Sequence, residues 1–123
     1  MMEGMYDVLE QIYQEYYEIF DFDSFHYGGD EVDFRCWNSS EAVTKPMLDQ
    51  GLKLDTQGFV DVWVRFQKEA RSRLEKLNNN SEHILWTSTL THEEFITESV
   101  PQDYTIQIWT DSTVSSILSS SAD

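Results

Sequence analysis

The chain has 123 residues and a formal net charge of −15, with 23 acidic side chains against 8 basic ones. This charge predicts that nucleic acid is not a partner, because phosphate binding needs Lys and Arg to displace counterions. Hydrophobic residues make up 40% of the chain and aromatic residues 14%, which is too much apolar material for a disordered acidic tail. We therefore expect a globular chain with a hydrophobic core.

The sequence offers no segment suited to a membrane, to export or to a metal ion. No apolar run approaches the roughly 18 to 20 residues that span a bilayer, and the start at Met1 lacks the basic and apolar regions of a signal peptide. From these residues we expect neither membrane insertion nor export. The single cysteine, Cys36, excludes an internal disulfide and a cysteine zinc site, and no two of the three histidines are four residues apart. No metal and no cofactor are expected.

In the first half of the chain, the sequence predicts a long helix, a strand and one short helix. Apolar residues recur at steps of three and four along 5–20, which predicts an amphipathic helix. The aromatic-rich run 24–27 predicts a strand that ends in a turn at Gly28 and Gly29. Periodicity is weak over 32–56, where we expect a long connection holding one short helix near 40–50.

In the second half, helical and strand patterns alternate. Residues 57–77 predict a second amphipathic helix, and residues 83–88 and 104–109 predict two strands rich in branched and aromatic side chains. Between these strands Thr91 is expected to cap a short helix, and a further helix is expected from Ser112. The alternation predicts an α/β fold with parallel strands.

Three parallel strands do not make a satisfactory domain by themselves. They would leave two unpaired edges and partly covered faces. We therefore interpret the whole chain, 1–123, as a fragment of a larger domain. Both later strands end in a tryptophan, Trp86 and Trp109, and α/β folds bind ligands at the carboxyl ends of their strands.

The segment with the most chemical content is the acidic pair Asp30 and Glu31, directly after the two glycines. Two carboxyl groups can divide labour, since one can keep a proton to donate while the other stays ionised. Glycoside cleavage needs both groups, because the leaving oxygen must be protonated and a positively charged, oxocarbenium-like centre must be stabilised. A solvated loop is the competing interpretation in a chain with 23 acidic residues. If both acids serve one sugar, the strand must end at Gly29 or Asp30 and turn, because adjacent strand residues point to opposite faces.

Residues 26–31 read His-Tyr-Gly-Gly-Asp-Glu and resemble the signature of the family 20 glycoside hydrolases, the β-N-acetylhexosaminidases. The similarity continues through 32–37, and residues 84–88 and 106–110 resemble the next two barrel strands of the insect chitooligosaccharide-degrading type. The resemblance implies that the chain is a partial (β/α)8 TIM barrel, holding about strands 4 to 6 with their helices.

The resemblance also implies a retaining, substrate-assisted reaction, in which the sugar's own 2-acetamido oxygen attacks the anomeric carbon. Glu31 matches the general acid/base, and Asp30 matches the residue that orients the acetamido N–H. Trp86 and Trp109 match tryptophans that wall the terminal sugar, where the ring faces stack and the indole N–H remains available for a hydrogen bond. Ordinary barrel core is the alternative for these two tryptophans.

The implied substrates are oligosaccharides, from chitin or from glycans, that end in N-acetylglucosamine or N-acetylgalactosamine. The parent enzyme is expected to be secreted or lysosomal and to form a homodimer, while the location of this chain itself stays open. We expect the isolated fragment to be inactive, and a catalytically inactive carbohydrate-binding remnant is the alternative function. An acidic interaction module unrelated to sugars is a third, more remote alternative.

Several single residues keep two interpretations. His26 either fills the barrel interior or takes part in catalysis, and Trp37 belongs either to loop packing or to the rim of the site. Trp63 lies on a helical stripe and is expected in the core. Cys36 matches half of a disulfide whose partner lies outside this chain, and a buried free thiol is its alternative. Asn38 and Asn79 begin glycosylation acceptor triplets, which agrees with a secretory parent.

Overall fold

The computed structural model describes residues 3–91 and 104–109. These ranges contain four α-helices, three β-strands and one turn of 3-10 helix. In chain order the elements are α1 (Glu3–Phe20), β1 (Ser24–His26), α2 (Phe34–Asn38), α3 (Glu41–Asp49), α4 (Thr56–Glu75), β2 (Glu82–Trp86), the 3-10 turn (Thr89–Thr91) and β3 (Tyr104–Gln107). The helix expected from Ser112, and residues 92–94 of the helix expected after Thr91, lie outside the described residues.

The three strands form one parallel sheet in the order β1-β2-β3. Phe25 of β1 pairs with His83 of β2, and Leu85 of β2 pairs with Ile106 of β3. The predicted parallel α/β arrangement is thereby confirmed. Within the described parts of the chain, each outer strand has a partner on one side alone.

The connection between β1 and α4 holds two helices, so the expectation of a single short helix is wrong. The additional helix, α2, is only five residues long and begins where the Asp33 carboxylate accepts the backbone N–H of Arg35 at 2.8 Å. The same device starts α4, where Asp55 accepts the N–H of Gly58 at 2.9 Å. Both carboxylates satisfy backbone donors that have no partner within the helix.

The core lies between the two long helices and one face of the sheet. Its buried side chains form two clusters, one around Trp63 and Leu85 and the other around Tyr13 and Leu74. Trp63, on α4, is 3% exposed, which confirms its predicted place in the core.

The two faces of the sheet have different surroundings. His83 and Leu85 of β2 are buried against the helices, while Ile84 and Trp86 alternate with them and are only half-buried. His26 is the register partner of Ile84 and lies on that second face. No residue of the second face belongs to the core clusters among the described residues. This face is where the candidate site is built.

Helix α1 is apolar on more sides than the core covers. Tyr13 is buried, whereas Val8 is 56% exposed, Ile12 55% and Ile19 73%. The stripe of apolar residues expected on this helix is therefore wider than the surface that α4 and the sheet bury. In residues 3–91 and 104–109, no helix combines the length and the apolar character needed to cross a membrane.

Candidate active site

The acidic pair lies on a turn that follows β1. The strand ends at His26, and Gly28 and Gly29 have φ angles of +69° and +87°. Glycine adopts this left-handed region without the steric cost that a Cβ imposes. Since the chain turns before Asp30 and Glu31, the alternation of a strand does not separate the two acids. The requirement that the strand end before them is met, and the strand ends earlier than expected.

Three hydrogen bonds hold this turn. The backbone N–H of Tyr27 donates to the carbonyl oxygen of Ile84 at 2.9 Å, and the N–H of Trp86 donates to the carbonyl oxygen of Gly28 at 3.2 Å. The N–H of Gly28 donates to Nδ1 of His26 at 2.9 Å. The turn is thus an extension of the β1–β2 ladder, which fixes the acids relative to the strand that carries Trp86.

The opposite side of the turn rests directly on α4. A Cβ added to Gly29 would lie 2.9 Å from Nε2 of Gln67 and 3.3 Å from Cζ2 of Trp63. A Cβ added to Gly28 would meet no atom within 4 Å. The second glycine is therefore needed for close packing as well as for its backbone angle.

The two acids have different environments. Asp30 is half-buried and near the His26 imidazole, where its carboxylate raises the pKa of that histidine against the larger lowering effect of burial. Glu31 is exposed and lines an open groove with the residues that follow it, up to Arg35. No tryptophan of the described chain lines that groove. The structure therefore brings Asp30 toward the aromatic part of the site and leaves Glu31 open to solvent.

Trp86 stands at the end of β2 on the second face of the sheet. Its ring lies against the imidazole of His26, with the centroids 4.3 Å apart and the planes at 46°. The side chain is half-buried, and none of the described residues accepts a hydrogen bond from its indole N–H. Within the described part of the chain, the indole N–H of Trp86 is therefore unpaired, and His26 covers part of its ring.

Trp109 lies two residues beyond the end of β3, and its side chain is 52% exposed. Its Nε1–H donates to the carbonyl oxygen of Thr87 at 2.7 Å. The expectation of an available indole N–H is therefore wrong for Trp109, which keeps only its ring faces for a ligand. Thr87 is a residue that sequence reasoning missed, although its position directly after Trp86 was a signal.

Taken together, the structure groups Asp30, His26 and Trp86, and it anchors Trp109 to the residue that follows Trp86. Glu31 is brought to the site by its position in the chain, with its side chain in the adjoining groove. Among the described residues, no three His, Cys, Asp or Glu side chains are arranged to hold a metal ion. The arrangement places the exposed Glu31 next to the half-buried Asp30. The aromatic rings of Trp86 and Trp109 lie at the ends of two neighbouring strands.

Residues at the margin of the site are also defined by the structure. Trp37 is half-buried and packs against Phe34 and Phe59, with ring centroids 6.1 and 6.3 Å away, which supports loop packing over a place on the rim. Cys36 is free and exposed, so the alternative of a buried thiol is wrong. Asn38 and Asn79 are both exposed.

Comparison with known proteins identifies the class. The family model described as glycosyl hydrolase family 20, catalytic domain, matches residues 1–122. The chain therefore belongs to glycosyl hydrolase family 20, a family of glycoside hydrolases whose catalytic domain is a TIM barrel. The resemblance seen in residues 26–31 is confirmed.

Individual relatives are similar to this chain over most of its length. A chitooligosaccharidolytic β-N-acetylglucosaminidase from Bombyx mori is 45% identical over 88% of this chain, and one from Ostrinia furnacalis is 41% identical over 88%. A β-hexosaminidase subunit B1 from Dictyostelium discoideum is 32% identical over 72% of the chain. The chain spans 19% of the length of each of the two insect proteins.

Proposed function

We propose that the full-length protein carrying this sequence is a β-N-acetylhexosaminidase that removes terminal non-reducing N-acetylhexosamine residues. The observation that carries the proposal is the acidic pair on a turn hydrogen-bonded to the strand of Trp86. Chitooligosaccharides are the proposed substrates, because the two insect relatives are named chitooligosaccharidolytic. Glycans that end in N-acetylglucosamine or N-acetylgalactosamine belong to the same substrate class.

Within this proposal Glu31 is the general acid/base. Its exposed carboxyl group is accessible to a glycosidic oxygen and exchanges protons with water, as an acid that later activates water must do. Asp30 orients the acetamido group of the sugar and offsets the positive charge that develops there. In this substrate-assisted class no enzyme carboxylate attacks the sugar, so the separation of the two acids does not predict the stereochemical outcome.

The two tryptophans supply the walls of the proposed sugar pocket. Trp86 presents a ring supported from behind by His26, and Trp109 presents a ring whose orientation is fixed by its bond to Thr87. Aromatic faces stack well on the C–H face of a pyranose and on an acetamido methyl group. A rigid wall loses little conformational freedom on binding, which favours affinity.

We also propose that the chain supplies strands 4 to 6 of the barrel. Two features support this: β1 and β3 each have an open side among the described residues, and apolar side chains such as Val8 and Ile19 of α1 are exposed. A full barrel has about 250 residues, so this chain supplies roughly half. By itself it lacks the remaining strands that position a substrate, and we expect it to be inactive.

For the location of the parent enzyme we propose secretion or the lysosome. The exposed acceptor residues Asn38 and Asn79, and the exposed thiol of Cys36, support this proposal because glycosylation and disulfides belong to the secretory route. Mass spectrometry of the secreted protein would detect glycans on Asn38 and Asn79.

A homodimer is the proposed assembly of the full-length enzyme. Light scattering would measure its molar mass.

The test of the function is hydrolysis of an aryl N-acetyl-β-glucosaminide by the full-length protein. Turnover that a chito-oligomer inhibits competitively supports the proposal. Binding of the chito-oligomer without hydrolysis would instead support the inactive carbohydrate-binding alternative. Absence of both binding and hydrolysis would overturn each of these functions.

A further inference from the structure

The imidazole of His26 makes two contacts that join different parts of the site. Its Nδ1 accepts the backbone N–H of Gly28 at 2.9 Å, so the proton of the neutral ring is on Nε2. Its ring face lies against Trp86, with the centroids 4.3 Å apart. One side chain therefore supports both the turn that carries the acids and the wall of the pocket.

One edge of the His26 imidazole is buried. The Nε2 atom is buried and has no hydrogen-bond partner among the described residues. Burial also lowers the pKa of His26, while the Asp30 carboxylate acts in the opposite direction. Both observations favour the neutral ring, which is the form that accepts the Gly28 N–H.

We propose that neutral His26 is the positioning residue of the acid turn, and that its protonation releases the turn. The inference rests on the proposed function. A proton on Nδ1 would point at the N–H of Gly28, so the hydrogen bond would become a repulsion between two donors. The turn that carries Asp30 and Glu31 would then lose one of the three hydrogen bonds that hold it.

Among the groups that face His26, Asp30 is the charged group that acts on the imidazole. From β2, Ile84 pairs with His26 and Trp86 packs against it, and neither is charged. Glu82 lies on the same face, two residues before Ile84, and accepts a hydrogen bond from Thr105 at 2.6 Å. From α1, Tyr13 and Tyr16 line a pocket together with His26, and neither is a carboxylate or a basic side chain.

Two substitutions in the full-length protein separate the two contacts. In His26→Asn the side-chain Oδ1 replaces Nδ1 as the acceptor for Gly28, but the ring behind Trp86 is lost. In His26→Phe the ring remains and the acceptor is lost. We expect H26N to raise KM, and we expect kcat to be about tenfold lower in H26F than in H26N, the worth of one hydrogen bond. Equal losses of kcat in the two variants would overturn the proposal.

The pH profile distinguishes positioning from a merely structural role. In the wild type we expect kcat to fall as the pH drops below the ordinary histidine pKa of about 6.5 and through the lowered pKa of His26. H26N should lack this decline because its amide does not titrate. If kcat of H26N fell at low pH in the same way as in the wild type, the proposal would be overturned, because a group other than His26 would cause the decline.

Hydrogen exchange tests the contact without any activity. The peptide that covers 25–34 should exchange faster in H26F than in H26N at the same pH, with unchanged melting temperatures as the control for folding. If the full-length protein hydrolysed no aryl glycoside, the proposed function would fail while this measurement still tested His26. Equal exchange rates in the two variants would overturn the positioning role.

Discussion

The backbone N–H of Trp86 donates a hydrogen bond to the carbonyl oxygen of Gly28 at 3.2 Å. This bond continues the β1–β2 ladder past the end of β1, where the chain has already turned away. The acid turn and the aromatic wall are therefore parts of one hydrogen-bonded unit. The position of the acid turn is therefore tied to the position of Trp86, and the turn itself depends on the positive φ angles of both glycines.

Glu31→Gln in the full-length protein tests the acid. The amide cannot donate the proton that a leaving glycosidic oxygen needs, so we expect kcat on a substrate with a poor leaving group to fall by about 10² to 10⁴. KM should change little, because Gln keeps the size of the side chain. Steady-state kinetics measures both.

Asp33→Asn is the matched control for Glu31. Asp33 lines the same groove, and its carboxylate forms an ion pair with Arg35 at 3.0 Å, whose hydrogen bond lowers the pKa of Asp33. We expect kcat of this variant to stay within about threefold, since a general acid is worth far more than that. A loss in Asp33→Asn equal to the loss in Glu31→Gln would show that the groove needs charge rather than a proton donor.

The two glycines of the turn allow a second paired test. Ala at Gly28 would lower the free energy of unfolding only through its strained left-handed backbone conformation, by roughly 1 to 2 kcal/mol. Ala at Gly29 would add a steric contact, because its Cβ would lie 2.9 Å from Nε2 of Gln67. We therefore expect Gly29→Ala to lower the melting temperature and kcat more than Gly28→Ala. Differential scanning calorimetry and kinetics of the two variants check this, and a larger effect at Gly28 would contradict the packing on α4.

Trp109→Phe removes the hydrogen bond to Thr87 and keeps an aromatic ring. The net value of one such bond is about 1 kcal/mol, so we expect KM for a chito-oligomer to rise about fivefold as the ring loses its fixed orientation. Trp37→Phe is the control, because Trp37 packs in the helix layer against Phe59. Calorimetric binding of the chito-oligomer should separate the two variants, and equal losses would remove Trp109 from the pocket.

Buried phenols make the fold sensitive to alkali. Burial raises the pKa of Tyr27 far above its ordinary value, and it raises the pKa of Tyr13 to about 12. Above the unfolded pKa of about 10, the unfolded chain ionises while the folded chain keeps its protons, so stability falls as the pH rises. The midpoint of thermal unfolding should therefore decrease from pH 9 to 11.

Tyr27→Phe should make that decrease shallower, because one of the raised groups is gone. It should also cost about 1 kcal/mol at neutral pH, since the Tyr27 hydroxyl is hydrogen-bonded to Nδ1 of His83 at 3.0 Å. Tyr16→Phe, at a ring that is 42% exposed, is the matched control. A shallower slope in the control than in Tyr27→Phe would contradict the assignment.

Much of the architecture was predictable from local patterns. The apolar spacing of the two long helices and the branched, aromatic strands gave their types, and the parallel arrangement followed from their alternation. Helix α2 was missed because five residues carry too little periodicity, although Asp33 stood in the position of an N-cap. Its signal was a single capping side chain, which periodicity does not detect.

The contacts within the site were not predictable in the same way. The ring contact between His26 and Trp86 depends on the register between β1 and β2. The hydrogen bond from Trp109 to Thr87 depends on the register between β2 and β3. Register is set by packing across the whole sheet rather than by a short motif. The residue types at the site followed from sequence, and their pairing required the fold.

Within residues 3–91 and 104–109, β1 and β3 each have an open side, and these edges bear on how such a chain behaves when it is produced alone. Backbone donors and acceptors along an unpaired strand bind whichever strand is offered. When the chain is produced alone, the available partner strand belongs to another copy, so we expect the chains to self-associate into aggregates. Co-expression with the rest of a barrel would provide strands that pair with these edges instead, and this pairing would compete with self-association.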